Sequence, residues 1–218
     1  MGRKKNGLRE MYALLEERFG DLCWWPAETP FEVMVGAVLT QNTNWKNVEK
    51  AIEGLKKNGL MTPEAITKKS ASSIARIIKP SGYYKQKALR LKEISKFVLQ
   101  GKGLKGLEKI RTGVLREKLL EVKGVGPETA DSILLYAFEH PIFVVDTYTR
   151  RIFARHGLIN PDSSYDQVQE YVYDNFPKNI KKFNQLHALI VETGKNYCRK
   201  KEGVCGECPL KGLPHTSK

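Results

Sequence analysis

The chain has 218 residues, 41% of them hydrophobic and 28% charged, with a formal net charge of +13. This length and balance allow one or two buried cores and exclude general disorder. No apolar run approaches the ~20 residues that a membrane span needs, and the basic start MGRKKNG leads into a charged amphipathic helix instead of a signal-peptide core, so an intracellular chain is expected. The excess of cations favours a polyanionic partner, because each phosphate neutralised by Lys or Arg releases condensed counterions. Ribosomal and membrane-surface proteins share that balance, so charge alone does not choose among them.

In chain order, helical periodicity recurs at Leu8, Met11, Tyr12, Leu15 and Phe19, then at Phe31, Met34, Val35, Val38 and Leu39, then at Val48, Ile52 and Leu55. Strand signals are scarce, and breaks fall at Gly20, 26–30, 58–63, 80–82, 101–106, Pro141 and 160–164. The pattern predicts an all-α chain of about ten short helices. Residues 25–135 are expected to form one bundle, of six helices, and residues 1–24 with 136–218 a second helical domain, with a cleft between the two lobes.

Residues 119–146, LLEVKGVGPETADSILLYAFEHPIFVVD, join two apolar helical stripes through a glycine turn. Gly124 and Gly126 are expected to permit backbone angles and approaches that a Cβ would forbid, and Pro127 suits the first turn of the following helix. Amides at such a helix start can bind a phosphate, although a glycine turn can also be purely structural. Asp146 follows an apolar run and precedes TYTRRIFARHGL, where it can cap a helix, serve as a catalytic carboxylate, or do both.

Cys198, Cys205 and Cys208 are spaced C-x6-C-x2-C near the end of the chain, which favours metal binding over disulfides. Clustered thiolates select zinc or an iron-sulfur centre, and a closed site of either kind wants four ligands. His215 is preferred as the fourth ligand, with Cys23 the other candidate; a tail of unligated cysteines is the remaining reading.

LTQNT at 39–43, SGYYKQKA at 81–88, VKGVGPETA at 122–130, VVDTYTRR at 144–151 and H-x6-G-x3-C from His187 to Cys198 occur together and in this order. The set resembles the endonuclease III branch of the helix-hairpin-helix DNA glycosylase superfamily. Trp24-Trp25-Pro26 and the aromatic Trp45 after QNT bring the chain closest to 3-methyladenine DNA glycosylases of endonuclease III type. The resemblance implies a two-lobed all-α helix-hairpin-helix fold, binding of damaged double-stranded DNA by a cytoplasmic, nucleoid-associated monomer, base flipping, and hydrolysis of a base–sugar bond at Asp146. It also implies a [4Fe-4S] cluster, although the family's fourth cysteine falls here at Pro214, which leaves zinc or no metal as alternatives. In the bifunctional members the hairpin ends with a lysine that attacks the sugar; here that position is Glu128, and a carboxylate cannot form a Schiff base. A monofunctional enzyme with little or no lyase activity is therefore expected.

The implied pocket for the base comprises Trp24, Trp25, Pro26, Trp45 and Glu128. An N-alkylated purine is electron-poor and often cationic, so indole faces attract it; the same tryptophans could instead be core aromatics. DNA contacts are expected from Lys123, Gly124, Val125 and Gly126. By resemblance Gln41 fills the vacated stack and Tyr83 wedges the opposite strand, the alternatives being a helix-end amide and an ordinary surface aromatic. Arg150 and Arg151 are expected on the DNA face or in solvent, and His187 beside the C-terminal cysteines. Other specificities in the family, for mismatched or oxidised pyrimidines, and a noncatalytic DNA-binding module are the competing readings.

Overall fold

The computed structural model describes residues 7–22 and 24–216. Among these the helices are α1 (Gly7–Phe19), α2 (Pro30–Leu39), α3 (Trp45–Lys57), α4 (Pro63–Lys68), α5 (Ala71–Ile77), α6 (Tyr84–Gln100), α7 (Leu104–Glu108), α8 (Thr112–Leu120), α9 (Pro127–Ala137), α10 (Thr147–Arg155), α11 (Tyr165–Asn175) and α12 (Ile180–Asn196), with 3-10 turns at Lys79–Ser81 and Cys205–Glu207. Helices α4, α5 and α7 are short, and the first bundle holds more helices than the six expected. They persist because tertiary contacts supply what a single turn cannot supply alone: the Lys92 ammonium on α6 bonds the Thr67 and Lys69 carbonyls, each at 2.6 Å, at the end of α4.

The chain divides into two compact units, one of Trp25–His140 and one of Met1–Trp24 with Pro141–Lys218. In the first, α2 is the central element. Thr29 caps it by accepting from the Glu32 amide at 3.1 Å, Pro30 opens it, and Phe31 to Leu39 are all buried. A helix apolar on every side belongs inside a bundle, and α2 packs against α3, α6 and α9. Its one carboxylate, on buried Glu32, pairs with Lys56 at 2.9 Å.

In the second unit, α1 and α10 pack on α12. The run Ile142–Val145 is buried but has no strand partner, so side chains satisfy its backbone. The Tyr173 hydroxyl accepts from the Phe143 amide (3.3 Å), the Tyr165 hydroxyl accepts from the Val145 amide (3.2 Å), and Gln169 donates to the Phe143 carbonyl (2.7 Å). This pinned segment delivers Asp146 to the start of α10. Among the described residues, no helix is long and apolar enough to cross a membrane.

Candidate functional site

Asp146 is buried and is the N-cap of α10. One carboxylate oxygen accepts from the Thr149 amide at 2.7 Å and from the Thr149 hydroxyl at 2.8 Å; the other lies 3.7 Å from His187 Nε2. Burial acts to raise its pKa, but the adjoining His187 imidazole and the two Thr149 hydrogen bonds outweigh burial and hold it below the usual carboxylate range. Asp146 is thus a charged, oriented carboxylate at neutral pH, at the end of a helix whose dipole favours negative charge. Burial and the Asp146 charge raise the pKa of Tyr148, which packs over Gly194 so closely that a Cβ there would overlap its ring.

His187 is where the structure departs most from expectation. It sits against Asp146, with its ring edge-on to Phe143, and not among the cysteines. Arg150 donates to the Ser163 carbonyl at 2.5 Å and Arg151 to the Cys198 carbonyl at 2.7 Å. With Arg155, which donates to the Arg199 carbonyl at 2.8 Å, Arg151 ties the cysteine-bearing loop to α10.

In the other unit, α8 and α9 flank the hairpin. Arg116 on α8 makes a bidentate pair with fully buried Asp131 on α9, at 2.7 and 3.2 Å, which fixes the two helices beneath the turn. Gly124 has φ +89°, and a Cβ on it would stand 2.5 Å from Arg90 Cγ, so glycine is required there. Gly126 differs: its backbone is extended and a Cβ would meet open space, so nothing within the protein demands glycine. Val125, grouped with the DNA contacts by sequence, is buried and its amide donates to the Val122 carbonyl at 3.0 Å, so it anchors the turn. Lys123 and Glu128 are exposed. No side chain caps α9 at Gly126.

Gln41 is bound to this hairpin. Its amide donates to the Gly124 carbonyl (3.2 Å) and to Thr129 Oγ1 (2.9 Å), and its oxygen accepts from Arg90. Tyr83 is 65% exposed and adopts the left-handed region at φ +46°, a conformation uncommon for a bulky residue. Trp25 stacks on Tyr136 at 4.7 Å between centroids, meets Trp45 edge-on at 5.5 Å and rests on Gly36, whereas Trp24 belongs to the other unit, with the Lys195 ammonium 4.9 Å above its ring. Pro26 is exposed.

Cys198, Cys205 and Cys208 line one cavity together with His156 and His215. Burial, and less strongly the two neighbouring thiols, push the Cys208 thiol up against a hydrogen bond from the Leu210 backbone. Donors of this kind suit zinc or an iron-sulfur centre, but the arrangement does not complete a site: among the described residues no three His, Cys, Asp or Glu side chains stand so as to hold a metal. Cys198 Sγ accepts from Arg155 at 3.2 Å, His215 Nδ1 lies 2.9 Å from the Leu213 carbonyl, and the Pro214 carbonyl meets His156 Nδ1 at 3.0 Å. Cys23 lies outside the described residues.

A hairpin braced by a buried ion pair in one unit and an ionised carboxylate at a helix start in the other are the features on which comparison with known proteins bears. Residues 35–178 match the model of the HhH-GPD superfamily of base excision DNA repair proteins. The chain belongs to that superfamily. It is 46% identical over 207 residues to the protein named "Putative DNA repair glycosylase" of Methanocaldococcus jannaschii, with 93% of each chain covered, and 31% identical to endonuclease III of Thermotoga maritima, covering 84% of this chain and 81% of that one. The crystal structure of the H. pylori 3-methyladenine DNA glycosylase bound to 1,N6-ethenoadenine is similar at 28% identity and TM-score 0.74, covering 87% of this chain and 97% of that one. A non-covalent endonuclease III–DNA complex has the same fold, with TM-score 0.84 at 23% identity over 97% and 95% of the two chains. HhH-GPD members are base excision repair proteins, and this chain is a DNA glycosylase of that kind.

Proposed function

We propose that the protein is a monofunctional glycosylase that removes alkylated purines of the 3-methyladenine type from duplex DNA. The observation that carries the reading is Asp146: a buried carboxylate, kept ionised by His187 and Thr149, can stabilise the positive charge that develops on the sugar and orient or deprotonate the attacking water. Gly126 supports the backbone grip, because it opens α9 with no capping side chain and faces empty space, which leaves room for a phosphate at the helix start. Gln41 would enter the vacated stack and Tyr83 the opposite strand, after an extrusion that is least costly at a weakly paired damaged base. The Trp25–Trp45–Tyr136 cluster supplies aromatic surface for the base, and the H. pylori relative supports the substrate class.

One observation favours a second specificity. The Lys195 ammonium over Trp24 takes the place that a cationic base would occupy on that ring, which favours a neutral base such as a mismatched or oxidised pyrimidine. Incubation of the protein with methylated duplex DNA, and in parallel with duplexes carrying such pyrimidines, separates the two readings when released bases are identified by mass. Release of methylated purines is the expected result; release of pyrimidines alone would establish the second reading.

Glu128, exposed in the second position of α9, stands where the bifunctional members carry their lysine. Borohydride treatment of the protein on abasic DNA is accordingly expected to trap no efficient covalent adduct, and a strong adduct would disprove the monofunctional reading. Cys198, Cys205 and Cys208 are the residues that would hold a [4Fe-4S] cluster or zinc, with His215 or Cys23 for the fourth place. No step of the reaction is assigned to them.

A further inference from the structure

Lys87 is fully buried, and its side chain takes no part in the chemistry above. Its ammonium donates to the Leu39 carbonyl at 2.8 Å and to the Ser81 carbonyl at 2.7 Å. These acceptors are the roots of two loops. Leu39 ends α2, where terminal carbonyls lack intrahelical partners and the dipole favours a cation, and Gln41 follows two residues later. Ser81 is followed by Gly82 and Tyr83, which adopt successive positive φ angles of 67° and 46° before α6 begins. A bulky residue stays in the left-handed region only where its surroundings over-determine it. Here the Ser81 hydroxyl bonds the Ile78 carbonyl at 2.8 Å while Lys87 holds the Ser81 carbonyl, and the exposed Tyr83 ring is not what secures the turn. One turn further along α6, Arg90 bonds Gln41. A methionine would fill the same space without the desolvation that an ammonium incurs, so packing alone does not account for lysine here.

We propose that Lys87 is a positioning residue that fixes the Gln41 loop and the Tyr83 turn to one another, so that both side chains enter the DNA stack as a unit. The inference rests on the reading of Gln41 and Tyr83 as stack probes. It is tested with Lys87→Met and a duplex in which 2-aminopurine adjoins a tetrahydrofuran abasic analogue, so that no base-release chemistry is needed. Wild-type protein is expected to raise the fluorescence as stacking is lost. Lys87→Met is expected to slow that rise by about tenfold, the scale of a lost charge-assisted hydrogen bond, with affinity for undamaged duplex unchanged. In a Gln41→Ala/Tyr83→Ala background the same substitution is expected to add little further loss. A wild-type protein that produces no rise would disprove the stack-probe reading instead. A wild-type rise that Lys87→Met reproduces in full overturns the positioning role, and so does an equal loss of undamaged-duplex affinity, which would mark a general structural role. Should thermal melting show that Lys87→Met does not fold, Lys87→Arg is measured in the same way; it keeps the cation but displaces both carbonyls, and it is expected to slow the rise while duplex affinity holds. An unslowed rise in that variant overturns the proposal.

Discussion

Asp146→Asn is expected to slow base release by about 10²- to 10⁴-fold, the range spanned by a positioned acid or base, while binding to lesion-containing duplex persists. The substitution isolates charge from structure. Asparagine is as good an N-cap as aspartate, and its oxygen can still accept from the Thr149 amide, so α10 keeps its start. Single-turnover release on the preferred lesion, measured beside equilibrium binding, checks this; wild-type release with intact binding would leave a DNA-binding module without catalysis at Asp146. The pH dependence follows from the same contacts. Because the folded pKa of Asp146 is lowered, its charge and its contribution to stability are complete above the unfolded carboxylate value of about 3.9, and are lost only as pH falls through the lower folded value. The acid limb due to this group is therefore expected below the range of ordinary carboxylates.

Arg116→Met is expected to lower stability by about 3 kcal/mol, or roughly 10 °C in melting temperature for a chain of this size. Removing Arg116 strips the bidentate partner from Asp131, which is wholly enclosed, so its carboxylate must either stay charged in a poor environment or take up a proton. The pair bridges α8 and α9 directly beneath the turn, so duplex affinity is expected to fall together with stability. Thermal melting and a duplex-binding titration test both parts. A variant that melts like wild type would mean that packing alone holds the hairpin.

The hairpin was legible because glycine, proline and apolar spacing act locally. Gly124 is required for the reason its sequence context indicates, a positive φ and a close neighbour, yet that neighbour, Arg90, lies on a helix that no local pattern links to the hairpin. Gly126 and Val125 looked alike in the motif and separate in the fold, one facing open space and the other turned into the core. The tryptophans show the converse: their closeness in sequence pointed to one aromatic group, and only the fold shows that the ring stacked on Trp25 is Tyr136 of α9. His187 was readable as a motif residue, but its partner was not, since 41 positions of sequence separate it from Asp146.

The sequence by itself determined an all-helical chain, a hairpin able to approach a polyanion, an aspartate at a helix start and the absence of a lysine at position 128. These follow from periodicity, backbone freedom and side-chain chemistry, which operate over a few residues. Only the tertiary structure decided that His187 and Thr149 keep Asp146 charged, that Arg116 braces the turn through Asp131, and that the Lys87 ammonium joins the roots of two loops. A buried polar group must find a partner, but which partner depends on how distant helices pack, and that choice leaves no periodic trace along the chain.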